Sequence, residues 1–141
     1  MKTIQNTIPK TKILFVCEDN SGPSQMAQAL AKKYGLDALS AGRHAASALN
    51  PFVVKAMKEK GIDLSAERPR LLSPQIISQA TLIVTLGCSF LDACPQPMVA
   101  EMRKKTVDWA WKGLRCRRMS ETAETRDEIE RRIVELSKRM G

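Results

Sequence analysis

A chain of 141 residues, 43% apolar and 27% charged, has the size and balance of one folded soluble-type domain rather than a disordered or fibrous segment. No apolar run approaches the roughly 20 residues that cross a bilayer, and Met1 to Thr11 lacks the apolar stretch of a secretory signal, so residues 1–11 read as a short polar leader before a single domain over 12–141, placed in the cytoplasm. The net charge of +8 gathers at Arg103, Lys104, Lys105, Lys112, Arg115, Arg117 and Arg118; such a stretch attracts phosphate-rich partners including nucleic acid, but aromatics at 4% leave little for base stacking, and a solvated basic surface is the preferred reading.

Lys12 to Cys17 is a short apolar run of strand type, apolar on both faces as in a central parallel strand. After the loop Glu18 to Pro23, Met26, Ala27, Leu30, Ala31 and Tyr34 recur at helical spacing, with Gly35 as a stop signal. A second strand is expected over Ala38 to Ala41, ending at Gly42. Asn50-Pro51 has the form of an N-cap with proline at the first helical position, Val53, Val54 and Met57 give that helix an apolar face, and Gly61 stands where a C-terminal cap belongs. Ser73-Pro74 repeats the start signal for a shorter helix through Ala80. A third strand is expected over Thr81 to Leu86 and a weaker one over Thr106 to Trp109. Thr125, Ile129, Ile133, Leu136 and Met140 form the stripe of a long C-terminal helix. Strands alternating with helices predict an α/β fold, a parallel sheet covered on both faces.

The chain has four cysteines, Cys17, Cys88, Cys94 and Cys116, without a C-x-x-C pair, and His44 is its sole histidine, so neither structural zinc nor a disulfide framework is expected. In open parallel sheets ligands bind beyond the C-terminal strand ends. Cys17 ends the first strand just before a helix N-terminus, where backbone amides and the helix dipole favour anions, a thiolate included. Local physics makes Cys17 a candidate nucleophile; a core cysteine is the plainer alternative.

The segment Val16-Cys17-Glu18-Asp19-Asn20-Ser21-Gly22-Pro23-Ser24-Gln25-Met26-Ala27 resembles the signature loop of low-molecular-weight tyrosine phosphatases and thioredoxin-coupled arsenate reductases. Ser40-Ala41-Gly42, Asn50-Pro51, Lys60-Gly61-Ile62-Asp63, Arg68 with Leu71, Ile83-Val84-Thr85-Leu86 and Cys94-Pro95 match the same family in order. Ser24 to Ala27 and Cys94-Pro95 resemble the arsenate reductase branch in particular. The resemblance implies a three-layer sandwich with a four-stranded parallel sheet flanked by helices. It also implies an oxyanion partner, arsenate or phosphate or a phosphorylated substrate, with no cofactor beyond thioredoxin or another dithiol reductant. Catalytic roles fall on Cys17 as nucleophile, Ser24 as hydrogen-bond partner of the thiolate, and Cys88 or Cys94 as relay thiols. Oxyanion binding falls on Glu18, Asp19, Asn20, Ser21, Gly22 and Ser24, with Asn20 holding the loop in its strained shape.

Two family parts are missing. The loop pattern C-x5-R-S has Pro23 where the arginine clamps the oxyanion, and proline supplies neither guanidinium nor N–H. The general-acid aspartate falls near Gly113, where Lys112-Gly113-Leu114 holds no carboxylate; Asp108, the nearest acid, matches a strand residue. The expectation is a family protein of impaired turnover, the alternative an inactive member acting as a binding or regulatory module through its basic surface. Arg43 and Arg68 are the candidates to replace the lost arginine, His44 is expected to be exposed, and Cys116 receives no role.

Overall fold

The computed structural model describes residues 11–87, 103–109, 111, 114 and 116–140. Strands β1 (Lys12–Cys17), β2 (Asp37–Gly42), β3 (Leu82–Thr85) and β4 (Thr106–Asp108) form one sheet in the order β2-β1-β3-β4, every neighbouring pair parallel. Helices α1 (Pro23–Lys33), α2 (Pro51–Lys58), α3 (Pro74–Gln79) and α4 (Met119–Met140) complete the three-layer α/β sandwich. None of the described helices is long and apolar enough to cross a membrane.

The two-sided apolar character of β1 has a direct cause. Ile13, Phe15 and Cys17 face one core with Met26, Leu30, Val53, Met57, Ile129 and Ile133 from α1, α2 and α4. Leu14 and Val16 face the other with Leu72, Ile77 and Ile83 on the α3 side. Both faces are dry, so alternation vanishes from the sequence. Full burial of side chains such as Phe15 or Leu14, both at 0% exposure, contributes about 1.5–3 kcal/mol each. The nucleophile candidate thus hangs from the most enclosed strand of the sheet.

The expected helix starts hold: the Asn50 side chain accepts from Phe52 N at 2.9 Å and Ser73 Oγ from Ile76 N at 3.2 Å, each ahead of a proline at the first position. The edges differ from the sequence reading by small, explicable steps. β3 starts at Leu82 because Thr81 turns its hydroxyl to the end of β1, accepting from Lys12 N at 2.8 Å and donating to Lys12 O at 3.1 Å. Trp109 lies past β4 yet still donates its N–H to Thr85 O at 2.8 Å. α1 begins at Pro23, ahead of the first apolar residue, because its first turn buries Ser24 and Gln25. The first turn of α1 is thus polar on a buried face.

Candidate active site

The loop from Glu18 to Gly22 leaves β1 and turns into α1. At its centre Asn20 is fully buried and adopts φ +56°, a left-handed conformation that asparagine tolerates better than most residues. Both polar atoms of its side chain are engaged: Nδ2 donates to Ser24 Oγ at 2.8 Å, while Oδ1 accepts from Gln25 Nε2 at 3.0 Å and from Arg70 N at 2.7 Å. Ser24 Oγ lies 2.8 Å from Cys17 Sγ. Asn20 Nδ2 donates to Ser24 Oγ and leaves the serine proton available to the sulfur; donated that way, it supports a thiolate. A buried chain of amide, hydroxyl and thiol therefore ends on the proposed nucleophile.

The surrounding backbone fixes this loop from outside. Cys17 O, Glu18 O, Asp19 O and Ser21 O accept from Arg43 N, His44 N, Ala46 N and Asn50 N at 3.2, 2.9, 3.1 and 2.9 Å. Gly42, opposite Cys17 in the β1–β2 register, lets this second loop approach: a Cβ there would stand 2.4 Å from His44 O and 2.6 Å from Asn20 N. The loop is clamped between two chain segments.

Residues 12–111 match the family described as low molecular weight phosphotyrosine protein phosphatase. The chain belongs to that family. An arsenate reductase of Brevibacillus brevis is 40% identical over 128 residues, 88% of this chain and 92% of that protein. Among solved structures, an arginine phosphatase from Geobacillus stearothermophilus superposes with a TM-score of 0.80 at 27% identity over 92% of each chain. A thioredoxin-dependent arsenate reductase from Corynebacterium glutamicum gives 0.72 at 29% identity, covering 96% of this chain and 64% of its own.

Within this family frame the other expected residues separate. A cavity of about 180 Å³ opens over Cys17, walled by Glu18, Asp19, Pro23, Leu86, Gly87, Leu114 and Cys116. Cys17 itself is only 3% exposed. Asn20 and Ser24 are buried and act through the hydrogen-bond chain; Gly22 caps α1, its carbonyl accepting from Gln25 N and Met26 N at 3.1 and 3.2 Å. Asp19 Oδ1 accepts from Ser21 N at 3.1 Å and Ser21 Oγ at 2.7 Å, so one loop amide is already given to a carboxylate. Pro23 fills the first helical position, its ring pre-set for the helix.

Neither candidate arginine lines the cavity. Arg43 Nε lies 3.5 Å from Glu18 Oε2, and Arg68 Nη1 donates to Ser65 O and Glu67 O at 3.3 and 3.0 Å within its own turn. His44 is exposed, with Nε2 also 3.5 Å from Glu18. Asp108 Oδ1 accepts from Thr85 Oγ1 at 2.8 Å and belongs to the sheet edge. Cys88, Cys94, Lys112 and Gly113 lie outside the described residues. Gly87 adopts φ +75°, a left-handed conformation that favours glycine, and a Cβ there would press on the Leu114 side chain.

Part of the basic stretch serves the fold. Lys105 Nζ donates to Ile77 O and Ala80 O at 2.9 and 2.6 Å, satisfying carbonyls at the end of α3, and Arg117 pairs with Glu121 at 3.1 Å. Gln25, Arg70, Asn50 and Cys116 are site residues that sequence reasoning did not single out. Asn50 had a visible signal as an N-cap, but its second task, donating Nδ2 to Cys116 O at 2.9 Å, joins residues 66 apart and leaves no trace in spacing.

Proposed function

We propose that this chain is a thiol-dependent member of the arsenate reductase branch in which Cys17 attacks arsenate or a phosphoryl group, with turnover well below that of a loop carrying the arginine. The observation that carries this reading is the buried Asn20–Ser24–Cys17 chain, closed by contacts of 2.8 Å on both sides of Ser24. Asn20 holds the turn, Ser24 supports negative charge on sulfur, and the loop presents the thiol to a cavity. The amides of Glu18, Asp19, Asn20 and Gly22 and the start of α1 supply what remains of the oxyanion site, that of Ser21 being held by Asp19.

The impairment follows from magnitudes. A lost preorganised oxyanion donor costs about 3–4 kcal/mol, or roughly 10²–10³ in rate, and a charged bidentate donor stands at the upper end. A missing general acid costs a further factor of about 10²–10⁴. Glu18 and Asp19 on the cavity wall add negative charge beside a dianion's place.

Cys88 and Cys94 are the proposed relay thiols. In that scheme a second thiol releases arsenite from arsenylated Cys17, leaving a disulfide for thioredoxin or another dithiol to reduce; the thioredoxin dependence of the Corynebacterium relative supports this choice of reductant. Residues 12–141 act as one unit in the cytoplasm. The second reading, an inactive binding or regulatory module, is favoured by Pro23 and the acidic wall. Dithiol-dependent arsenate reduction and aryl-phosphate hydrolysis, measured for the native chain and for Cys17→Ser, decide between them. Cys17-dependent turnover supports the enzyme; equal background rates in both proteins support the module.

A further inference from the structure

Cys116 shares the cavity with Cys17 and is not a position at which the family relay places a thiol. It follows the stretch in which the general acid is missing, and three observations fix it against the nucleophile loop. Its Sγ lies 3.9 Å from the point where a Cβ on Gly22 would stand. Its carbonyl accepts from Asn50 Nδ2 at 2.9 Å, while Asn50 N donates to Ser21 O at 2.9 Å, so one residue ties Cys116 and the Cys17 loop together. Burial pushes the Cys116 thiol up to about 11, against a hydrogen bond from Thr122 and with the charges of Cys17 and Glu121 adding to the rise. Cys116 is thus a protonated thiol within the electrostatic reach of the nucleophile.

The rest of the cavity wall selects what such a pair can hold. It carries Asp19, Glu18 with its carboxylate 3.5 Å from Arg43 Nε, the apolar residues Pro23, Leu86 and Leu114, and no cation among the described lining residues. A tetrahedral dianion meets repulsion there. A neutral, thiophilic centre with an apolar substituent meets two soft donors and apolar packing.

We propose that Cys17 and Cys116 form a dithiol site for neutral trivalent arsenicals, capturing the arsenic between the two sulfurs. The site rests on the reading of Cys17 as an available thiol but does not require turnover. With a monosubstituted arsenous acid, two As–O bonds and two S–H bonds break, two As–S bonds form, and two waters leave. Arsenic stays trivalent, so no oxidant or reductant enters. In the native chain the pair would retain the reduced form of arsenic at the place where arsenate is attacked. The second As–S bond forms within one molecule, and the effective concentration of the second thiol raises affinity by about 10²-fold or more over a single thiol.

The test uses phenylarsine oxide on the full chain carrying Cys88→Ser and Cys94→Ser, which leaves Cys17 and Cys116 as its thiols. Binding is followed by loss of titratable thiols and by mass, with thermal melting to establish that each variant is folded. The proposal expects one arsenical per chain, loss of both thiols together, resistance to excess monothiol and release by a dithiol. Adding Cys17→Ser or Cys116→Ser should weaken binding about 10²-fold and make it reversible by monothiol. Asn50→Ala, which frees Cys116 from the loop without touching either sulfur, should give an intermediate loss. Binding by the two-thiol protein no tighter than by either single-thiol variant overturns the proposal. Because no turnover is read, that result leaves the nucleophile reading of Cys17 standing, and an inactive Cys17 in arsenate assays leaves the dithiol result standing.

Discussion

Asn20→Ala removes the residue on which the site turns, and its cost follows from the contacts. Arg70 N–H loses its 2.7 Å acceptor, an orphaned part-buried donor worth about 1 kcal/mol. Ser24 and Gln25 each lose one of their partners, at 2.8 and 3.0 Å, for about 0.5–1 kcal/mol apiece. Holding alanine at φ +56° adds about 1 kcal/mol. The total is about 3–4 kcal/mol, which leaves a domain of this size folded at 25 °C but shifts its urea midpoint clearly. Asn20→Gly loses the same hydrogen bonds without the backbone strain, so it should recover about 1 kcal/mol of the deficit. Urea titration of the three proteins measures both differences. A loss under about 1 kcal/mol for alanine, or glycine no better than alanine, would refute the reasoning, because either result means the loop does not depend on Asn20 in its left-handed conformation.

Gly42→Ala forces a Cβ to within 2.4 Å of His44 O and 2.7 Å of Asp19 C, so backbone on both sides must move; a loss above about 2 kcal/mol is expected, together with slower alkylation of Cys17 by iodoacetamide if the loop closes on it. Cys116 keeps its proton to about 11 in the folded chain against 9.0 ordinarily, so the unfolded chain ionises first and stability falls as pH rises from 9 to 11, by about 1–2 kcal/mol. Urea midpoints across that window should fall more steeply for the native chain than for Cys116→Ser; parallel curves would contradict the assignment. Burial of Glu130 would raise its carboxyl, but hydrogen bonds from Tyr34 and Lys60, at 2.6 and 3.0 Å, outweigh it and hold the group below the usual range. That stabilisation is present above the ordinary carboxylate value and is lost as pH falls below it and through the lowered folded value. Glu130→Gln should therefore cost about 1 kcal/mol at neutral pH and flatten the acid limb of the stability curve.

The sheet was legible because its strands are buried on both faces and its helices open with Asn-Pro and Ser-Pro signals, features whose physical cause is local. The loop after β1 was legible as a pattern: Cys17, Asn20 and Ser24 stand at a spacing that the turn geometry and its hydrogen bonds use. What spacing could not carry was contact across the chain. Arg70 lends its N–H to Asn20 from 50 residues away, and Asn50 reaches Cys116 across 66. Gly42 is readable as a glycine in a motif, but the reason for it is the approach of a second loop to Asn20 N. The edges of β3 and α1 differ by one residue because Thr81 spends its hydroxyl on Lys12 and because the first turn of α1 buries the polar Ser24 and Gln25. Arg43 and Arg68 look equally suitable as substitutes on sequence grounds; only their partners, Glu18 and the carbonyls of Ser65 and Glu67, remove them.

In the function proposed above, the loop from Cys17 to Ser24 keeps the family's turn but lacks its arginine clamp and the amides of Ser21 and Pro23. Inorganic phosphate binding to Pro23→Arg, measured by calorimetry beside the native chain, tests this directly. Affinity about 10²-fold higher or more is expected for the variant, since a guanidinium restores the charged fork at the start of α1. Equal affinity in a variant that melts like the native chain would show that the turn no longer surrounds an anion, and the kinship with phosphatases and reductases would then extend to the fold but not to the chemistry.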